Sequence, residues 1–378
     1  MTNDRAQRGS QADRANSGAS GYLTIDLAAL ADNYRLLGAK VAPAKASAVV
    51  KADAYGLGAA RVVPVLYAAG CRDFFVAHFG EALPLRPLLP PDAHLFVLNG
   101  LQPGNEAVAA DTDIIPVINS LEQLAAWKAV ALNRGTRLPA VLQFDTGMSR
   151  LGLPPDEADA LAADPAALDS LDLLFIMSHL ASADEPDNDQ NESQRSAMAA
   201  IAERYPRTTL CFANSGGVFL GAPYHGVLVR PGVALYGGAP TAGTANPMKP
   251  VVRLDVAVVQ TRTVPAGARV GYGGTFTAKN EMRLATIAAG YADGLHRCLS
   301  DRGAVFYNGT RLPIVGRVSM DSMTVDISAL PPGTLRLGSL VEVIGPHQTL
   351  EDLASAAGTI SYEILTSLGR RYHRDYLT

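Results

Sequence analysis

Residues 47–58 read Ser-Ala-Val-Val-Lys-Ala-Asp-Ala-Tyr-Gly-Leu-Gly, and no other stretch of the chain carries clearer chemistry. A short apolar, β-branched run ends in a single lysine, Lys51, and gives way to small residues, Tyr55 and two glycines. That order fits a buried strand delivering an ammonium group to the mouth of a pocket. A lysine desolvated there can shed its proton and attack a carbonyl, as Schiff-base chemistry requires. Taken alone, a strand-end lysine reads instead as a side chain snorkelling to solvent. The surrounding elements decide between the two.

Those elements alternate. Asp26 is placed to cap a helix over 27–37, where apolar residues recur at helical spacing and Gly38 suits the stop. Short apolar runs then predict strands at 48–51, 73–77, 94–98, 114–118, 140–144, 173–178, 209–212 and 227–230, most followed by an amphipathic stretch. Eight such βα units predict a (β/α)8 barrel of the α/β class, with a doubly wound open sheet as the competitor. Polar residues and glycines gather where the strands end: Lys51, Asn99, Asn119, residues 145–150, His179, Asn214-Ser215-Gly216 and Arg230-Pro231-Gly232. Any one cluster reads equally as a cap or turn, but together they fall on one rim, the catalytic face of a barrel.

Residues 241–250 look like a linker, and β alternation follows at 251–264, 284–288, 305–307, 312–318, 323–327 and 340–344. Asn308-Gly309 signals a hairpin turn, and Thr349 with Asp352 a capping box opening a helical stretch that ends near Arg371. The expected organisation is a polar tail over 1–20, a barrel over 21–250 and a mainly β domain over 251–378.

Composition narrows the function classes. Of 378 residues 48% are hydrophobic and 18% charged, with net charge −4, so no global basic field points to nucleic acid or an anionic membrane. No apolar run reaches the length of a bilayer span. The tail lacks the apolar core of a secretory signal, and Cys71, Cys211 and Cys298 show no paired spacing. Free thiols in a cytoplasmic protein are expected. The acidic loop 183–192 matches no metal-binding spacing and reads as surface, so no metal site is expected.

Residues 49–58 closely resemble the pyridoxal-phosphate lysine motif of alanine racemases, with Lys51 on its Schiff-base lysine. The resemblance runs from Tyr22 to Tyr372. It includes Phe144-Asp-Thr-Gly-Met-Ser-Arg-Leu-Gly152, Met177-Ser-His-Leu-Ala-Ser-Ala-Asp184, Ala213-Asn-Ser-Gly-Gly217 and Arg230-Pro-Gly-Val-Ala-Leu-Tyr-Gly237. It continues through Val270-Gly-Tyr-Gly-Gly-Thr-Phe276, Gly290-Tyr-Ala-Asp-Gly294, Gly316-Arg-Val-Ser-Met-Asp321 and Ser361-Tyr-Glu-Ile-Leu365. Their joint occurrence in order is highly specific.

The resemblance implies a fold-type III enzyme: an N-terminal (β/α)8 barrel, a C-terminal β domain, pyridoxal 5'-phosphate as cofactor and alanine as substrate. It implies that Tyr55, Ser215, Gly232, Val233 and Tyr362 hold the cofactor phosphate. Independently, Ser215 and Gly232 follow the seventh and eighth expected strands, where barrels often bind phosphate. Arg230 matches the arginine that faces the pyridine nitrogen; always protonated, it should donate to that nitrogen and leave the ring a weaker electron sink.

Racemisation removes a proton from one face and returns it to the other, so two bases are expected. Lys51 resembles the base for the D enantiomer and Tyr272 the base for the L enantiomer. His179 is implied to couple Tyr272 to Arg230, although alone it reads as a satisfied core histidine. Arg150 and the backbone N–H of Met320 match the substrate-carboxylate site, and Tyr291 narrows the entrance. Asn214 and Asp321 come with these motifs as supporting residues. In the family the β domain of one subunit completes the site of the other, so a head-to-tail homodimer is implied.

Two positions depart from the pattern. Gln143 stands where many relatives have a lysine, often carbamylated; it could still hold Arg150 by a neutral hydrogen bond. His296 stands where relatives commonly have proline. The sequence leaves open a supply of D-alanine for peptidoglycan or for alanine catabolism, and a racemase of broader or serine specificity. A non-catalytic cofactor-binding barrel would lack the β domain and Tyr272. A decarboxylase of related fold would want a cysteine acid, and Cys298 sits in no such motif.

Overall fold

A computed structural model describes residues 18–378, which form two compact units: residues 30–248, and Lys249–Thr378 together with the described residues up to Ala29. The tail expected over 1–20 lies outside the described residues up to position 17; Ser20 already belongs to a sheet edge, its carbonyl accepting from the Ala257 N–H at 2.7 Å.

In the first unit nine parallel strand segments follow one another in space: Lys45–Ala46, Leu228–Val229, Thr209–Cys211, Leu171–Met177, Leu138–Gln143, Ile114–Ile118, His94–Val97, Asp73–Val76 and Ala48–Val49. The first and last are pieces of one strand separated by Ser47, so the sheet returns on itself as the expected eight-stranded barrel. The strands are buried on both faces and read as continuous apolar runs, as parallel strands covered by helices do. Phe75, Phe96 and Phe175 fill the interior, the last reaching across from a non-adjacent strand to 5.4 Å from Phe96. The rim therefore stands on a packed floor.

Asp26 caps the helix Leu27–Val41 as expected, its Oδ1 accepting from the Ala29 N–H at 2.8 Å. The helix runs past Gly38.

The N-terminal boundary differs from the expected one. Gly21–Asp26 does not enter the barrel; it lies between Val252–Val264, antiparallel, and His373–Leu377, parallel. The reason is visible in its pattern, because Leu23 and Ile25 are buried while their neighbours are half-exposed. Such alternation suits a one-sided sheet. The barrel unit begins at Leu30 rather than residue 21.

The second unit is mainly β. Val252–Val264 is long enough to serve two pairings, with Gly21–Asp26 and Leu340–Ile344 along its first half and Met282–Ile287 along its second. Asn308 and Gly309 take φ of +46° and +81°, turning Ala304–Tyr307 back onto Thr310–Pro313. The Thr349 capping box forms, with the Asp352 N–H donating to Oγ1 at 3.1 Å. The single C-terminal helical stretch is instead two helices, Leu350–Ala357 and Ser361–Ser367, parted at Gly358, whose φ is +68°. No helix among the described residues is long and apolar enough to cross a membrane.

Candidate active site

Lys51 leaves the first barrel strand immediately after Val50, whose N–H donates to the Phe75 carbonyl at 2.8 Å in the last rung of the ladder. The chain then does something no local rule would suggest. Ala52, Asp53, Ala54 and Tyr55 all take left-handed conformations, with φ between +53° and +56°, although none is glycine. Isolated left-handed residues with a Cβ cost roughly 1 kcal/mol each, so four in a row persist only where the surroundings over-determine them. They do: the Ala52 N–H donates to Glu81 Oε2 at 2.9 Å, Asp53 Oδ1 accepts from Ala59 at 2.7 Å, and Gly56 bonds back to the Ala52 carbonyl at 2.8 Å. This tight turn holds Lys51 at the rim and drops Tyr55 into the core, where its ring lies 4.7 Å from Tyr236.

Tyr55 meets the end of the eighth strand. A Cβ on Gly232 would stand 2.2 Å from the Tyr55 hydroxyl oxygen, so only glycine admits the phenol there. Beside them the buried Ser215 Oγ accepts from the Gly232 N–H at 2.9 Å and the Ala234 N–H at 3.3 Å. With both acceptor positions engaged, its own proton is left to donate outward. Asn214 braces this turn, donating to the Leu180 carbonyl at 3.1 Å and accepting from the Gly217 N–H at 3.0 Å. Val233 opens the short turn after Gly232.

Arg230 is buried and bound on several sides, donating to the Ser178 carbonyl at 2.6 Å and to the Cys211 carbonyl and Sγ at 3.0 Å each. Its Nη2 also lies 3.4 Å from His179 Nδ1. A guanidinium can only donate, so Nδ1 is the acceptor and the imidazole proton sits on Nε2. Burial, then Arg230, Arg150 and Lys51, hold the His179 pKa well below the ordinary histidine value. Burial likewise pulls Lys51 down from the usual lysine value, Arg150 and Arg230 adding to the effect against a smaller opposing pull from Glu81.

Arg150 is presented by an exposed loop after the fifth strand. Asp145 Oδ1 organises that loop, accepting from the N–H groups of Gly147, Met148 and Ser149 at 2.9, 3.0 and 3.1 Å. Gln143 is buried at the strand end and its carbonyl accepts from Leu153 at 2.8 Å. Among the described residues no hydrogen bond joins its side chain to Arg150, contrary to the expectation from sequence.

Ten of the expected site residues, Lys51, Tyr55, Gln143, Arg150, His179, Asn214, Ser215, Arg230, Gly232 and Val233, thus belong to the C-terminal ends of barrel strands and the loops after them. The other five, Tyr272, Tyr291, Met320, Asp321 and Tyr362, belong to the second unit, where residues 316–321 lie beside the turns of Tyr272 and Tyr291. A Cβ added to Gly271, before Tyr272, would stand 3.2 Å from the Arg317 backbone nitrogen, and the Tyr291 N–H donates to the Ser319 carbonyl at 3.0 Å. Asp321 is held by Arg371 at 2.6 Å, which also grips the buried Asp293 of the Tyr291 turn at 2.7 and 2.8 Å. Tyr272, Met320, Tyr291 and Tyr362 are 70, 52, 44 and 39% exposed. His296 Nε2 lies 3.3 Å from Ser367 Oγ in this unit.

Sequence reasoning missed Glu81, Tyr236 and Cys211. Tyr236 falls inside the Arg230–Gly237 motif and could have been found there. Glu81 and Cys211 carried no signal, because their roles come from contacts 29 and 19 residues away in the chain.

Comparison with known proteins points to one family. Family models described as the alanine racemase N-terminal and C-terminal domains match residues 25–240 and 251–376. A Rhizobium johnstonii protein named "Alanine racemase, catabolic" is 66% identical over 359 residues, covering 95% of each chain. One of the same name from Agrobacterium fabrum is 63% identical over 364 residues, covering 96% of this chain and 94% of the other. The crystal structure of alanine racemase from Bartonella henselae with covalently bound pyridoxal phosphate superposes with a TM-score of 0.92 at 44% identity, covering 95% of this chain and 100% of that one.

Proposed function

The chain belongs to the alanine racemase family and is an amino-acid racemase, and we propose that it interconverts L- and D-alanine by two opposed bases around pyridoxal 5'-phosphate held on the barrel rim. One observation carries the reading: barrel strand ends bring Lys51, Arg230 with His179 Nδ1 3.4 Å away, and the cradle of Ser215, Gly232 and Tyr55 to one rim.

The donor set fits an anionic aldehyde. The Ser215 hydroxyl has a proton to give, the glycine at 232 leaves space that a Cβ would fill, and Tyr55 stands against it. These residues, with the N–H of Val233 and the hydroxyl of Tyr362, would hold the phosphate; Arg230 would face the ring nitrogen as a donor. When bound, the cofactor supplies an electron sink that acidifies the α-proton of the amino acid.

Lys51, biased toward its neutral amine, is the residue to hold the cofactor aldehyde and, once displaced by substrate, to take or return the α-proton of D-alanine. Tyr272 serves the opposite face. His179, its Nε2–H fixed by Arg230 behind it, is the donor that would stabilise the Tyr272 phenolate. Arg150 and the Met320 N–H hold the substrate carboxylate, and Tyr291 limits the entrance. The exposure of Tyr272, Met320 and Tyr291 supports a head-to-tail homodimer in which a partner copy supplies Tyr272. The names of the two most identical relatives cited favour a catabolic role.

The test is a chiral assay of purified protein with L-alanine and cofactor. Lys51→Ala should lose both racemisation and the visible absorbance of bound cofactor. Equal mixing of Lys51→Ala and Tyr272→Phe subunits should recover about a quarter of parental activity, since half the dimers are mixed and each carries one intact site. No recovery removes the shared site; unchanged absorbance removes Lys51. Disruption of the gene should abolish growth on L-alanine as carbon source without creating a D-alanine requirement, and the opposite outcome assigns the biosynthetic role.

A further inference from the structure

We infer that the side-chain amide of Gln194 is a positioning clamp that locks the Arg150 loop to the strand end bearing His179; the inference rests on the site as proposed above. Gln194 lies on the helix Asp189–Arg204 and is fully buried, outside every motif that the sequence singled out. A buried amide is tolerated only when its hydrogen bonds are made, and where they go shows what it ties together.

All go to the two segments in question. Gln194 Oε1 accepts from the Ala181 N–H at 2.8 Å, and Nε2 donates to the His179 carbonyl at 2.9 Å, so the amide grips the backbone on both sides of Leu180. The second proton on Nε2 goes to Thr146 Oγ1 at 3.2 Å, in the loop that leads to Arg150. Thr146 Oγ1 in turn lies 2.7 Å from the buried Ser178 Oγ, and the Ser178 carbonyl receives Arg230 Nη2 at 2.6 Å. One amide and one hydroxyl thus join the carrier of the carboxylate-binding arginine to the carriers of His179 and Arg230. One helical turn earlier Gln190 makes a parallel bridge, accepting from Ser182 Oγ at 2.7 Å and donating to the Gly147 carbonyl at 2.9 Å. A filler side chain would need no such directionality; an apolar residue of the same size would pack equally well but leave the Ala181 N–H and the His179 carbonyl unpaired and take from Thr146 Oγ1 one of its two partners.

Gln194→Met keeps the volume and removes the bonds; Thr146→Val breaks the same hub from the other side, and Thr146→Ser preserves the hydroxyl. Amide hydrogen exchange, followed by mass spectrometry on peptides covering 145–152 and 178–183, reads the clamp without reference to activity. Expected is faster exchange in both peptides for Gln194→Met and Thr146→Val, with the KM for L-alanine raised at least about fivefold and kcat per bound cofactor falling less. Thr146→Ser should restore both readouts to parental values. Folded variants whose exchange and KM stay within twofold of the parent overturn the proposal, as does a Thr146→Ser variant as impaired as Thr146→Val. If Gln194→Met does not fold, the Thr146 pair decides by the same measurements. If the parent protein does not racemise alanine, the proposed function fails while the exchange data still decide the clamp.

Discussion

Substituting Gly232 by alanine isolates the contact on which cofactor binding should depend. The new Cβ would stand 2.2 Å from the Tyr55 hydroxyl oxygen and 3.0 Å from Cζ. Carbon and oxygen rest at about 3.3 Å, so the hydroxyl must retreat by about 1 Å. Tyr55 has little freedom to do so, because its ring packs on the fully buried Tyr236 and its backbone belongs to the left-handed turn. Overpacking of this size costs about 1–3 kcal/mol, and 2 kcal/mol would lower the melting temperature by roughly 4–8 °C for a unit of this length.

A hydroxyl moved 1 Å away would also lose the hydrogen bond proposed for it to the phosphate, worth about 1.5–3 kcal/mol with a charged partner, or roughly ten- to a hundredfold in cofactor affinity. Calorimetric melting and cofactor titration of Gly232→Ala measure the two terms. Tyr55→Phe supplies the control: without the hydroxyl the clash is milder, so adding Gly232→Ala on that background should cost clearly less than on the parent. Equal cost on both backgrounds, or parental cofactor affinity in Gly232→Ala, would falsify this account of the cradle.

Two further outcomes follow from charge. His179 is held neutral in the folded state, so the unfolded chain takes up a proton near the ordinary histidine value of 6.5 that the folded chain refuses. Stability is complete above that value and falls as pH drops below it, by at most about 1.4 kcal/mol per pH unit. In urea unfolding of cofactor-free protein, His179→Asn should therefore lose less stability than the parent between pH 7.5 and 5.5, and parallel pH profiles would refute the assignment. Arg371→Met leaves the buried Asp293 carboxylate without its bidentate partner and frees Asp321 beside Met320. Lower stability and a raised KM for alanine are expected; a fall in stability with KM unchanged would limit Arg371 to folding.

The chain by itself determined whatever depends on near neighbours. Strand ends, the Asn308-Gly309 turn, the Thr349 box and the exit of Lys51 at a strand terminus follow from side-chain periodicity, allowed dihedrals and capping within a few residues. The order of motifs, read through family resemblance, supplied the site residues. Only the tertiary structure decided the rest. Four consecutive non-glycine residues in a left-handed turn contradict local preference, and bonds such as that from Ala52 to Glu81 are what over-determine them. Gly21–Asp26 joins the β unit because its partners lie over 200 residues downstream. Arg230 acquires Ser178, His179 and Cys211 from the ends of the sixth and seventh strands, and Gly232 acquires Tyr55 when barrel closure brings the first strand beside the eighth. Propensity is a property of adjacent dihedrals; the electrostatics and steric limits of this site arise between atoms that the chain separates and the fold makes neighbours.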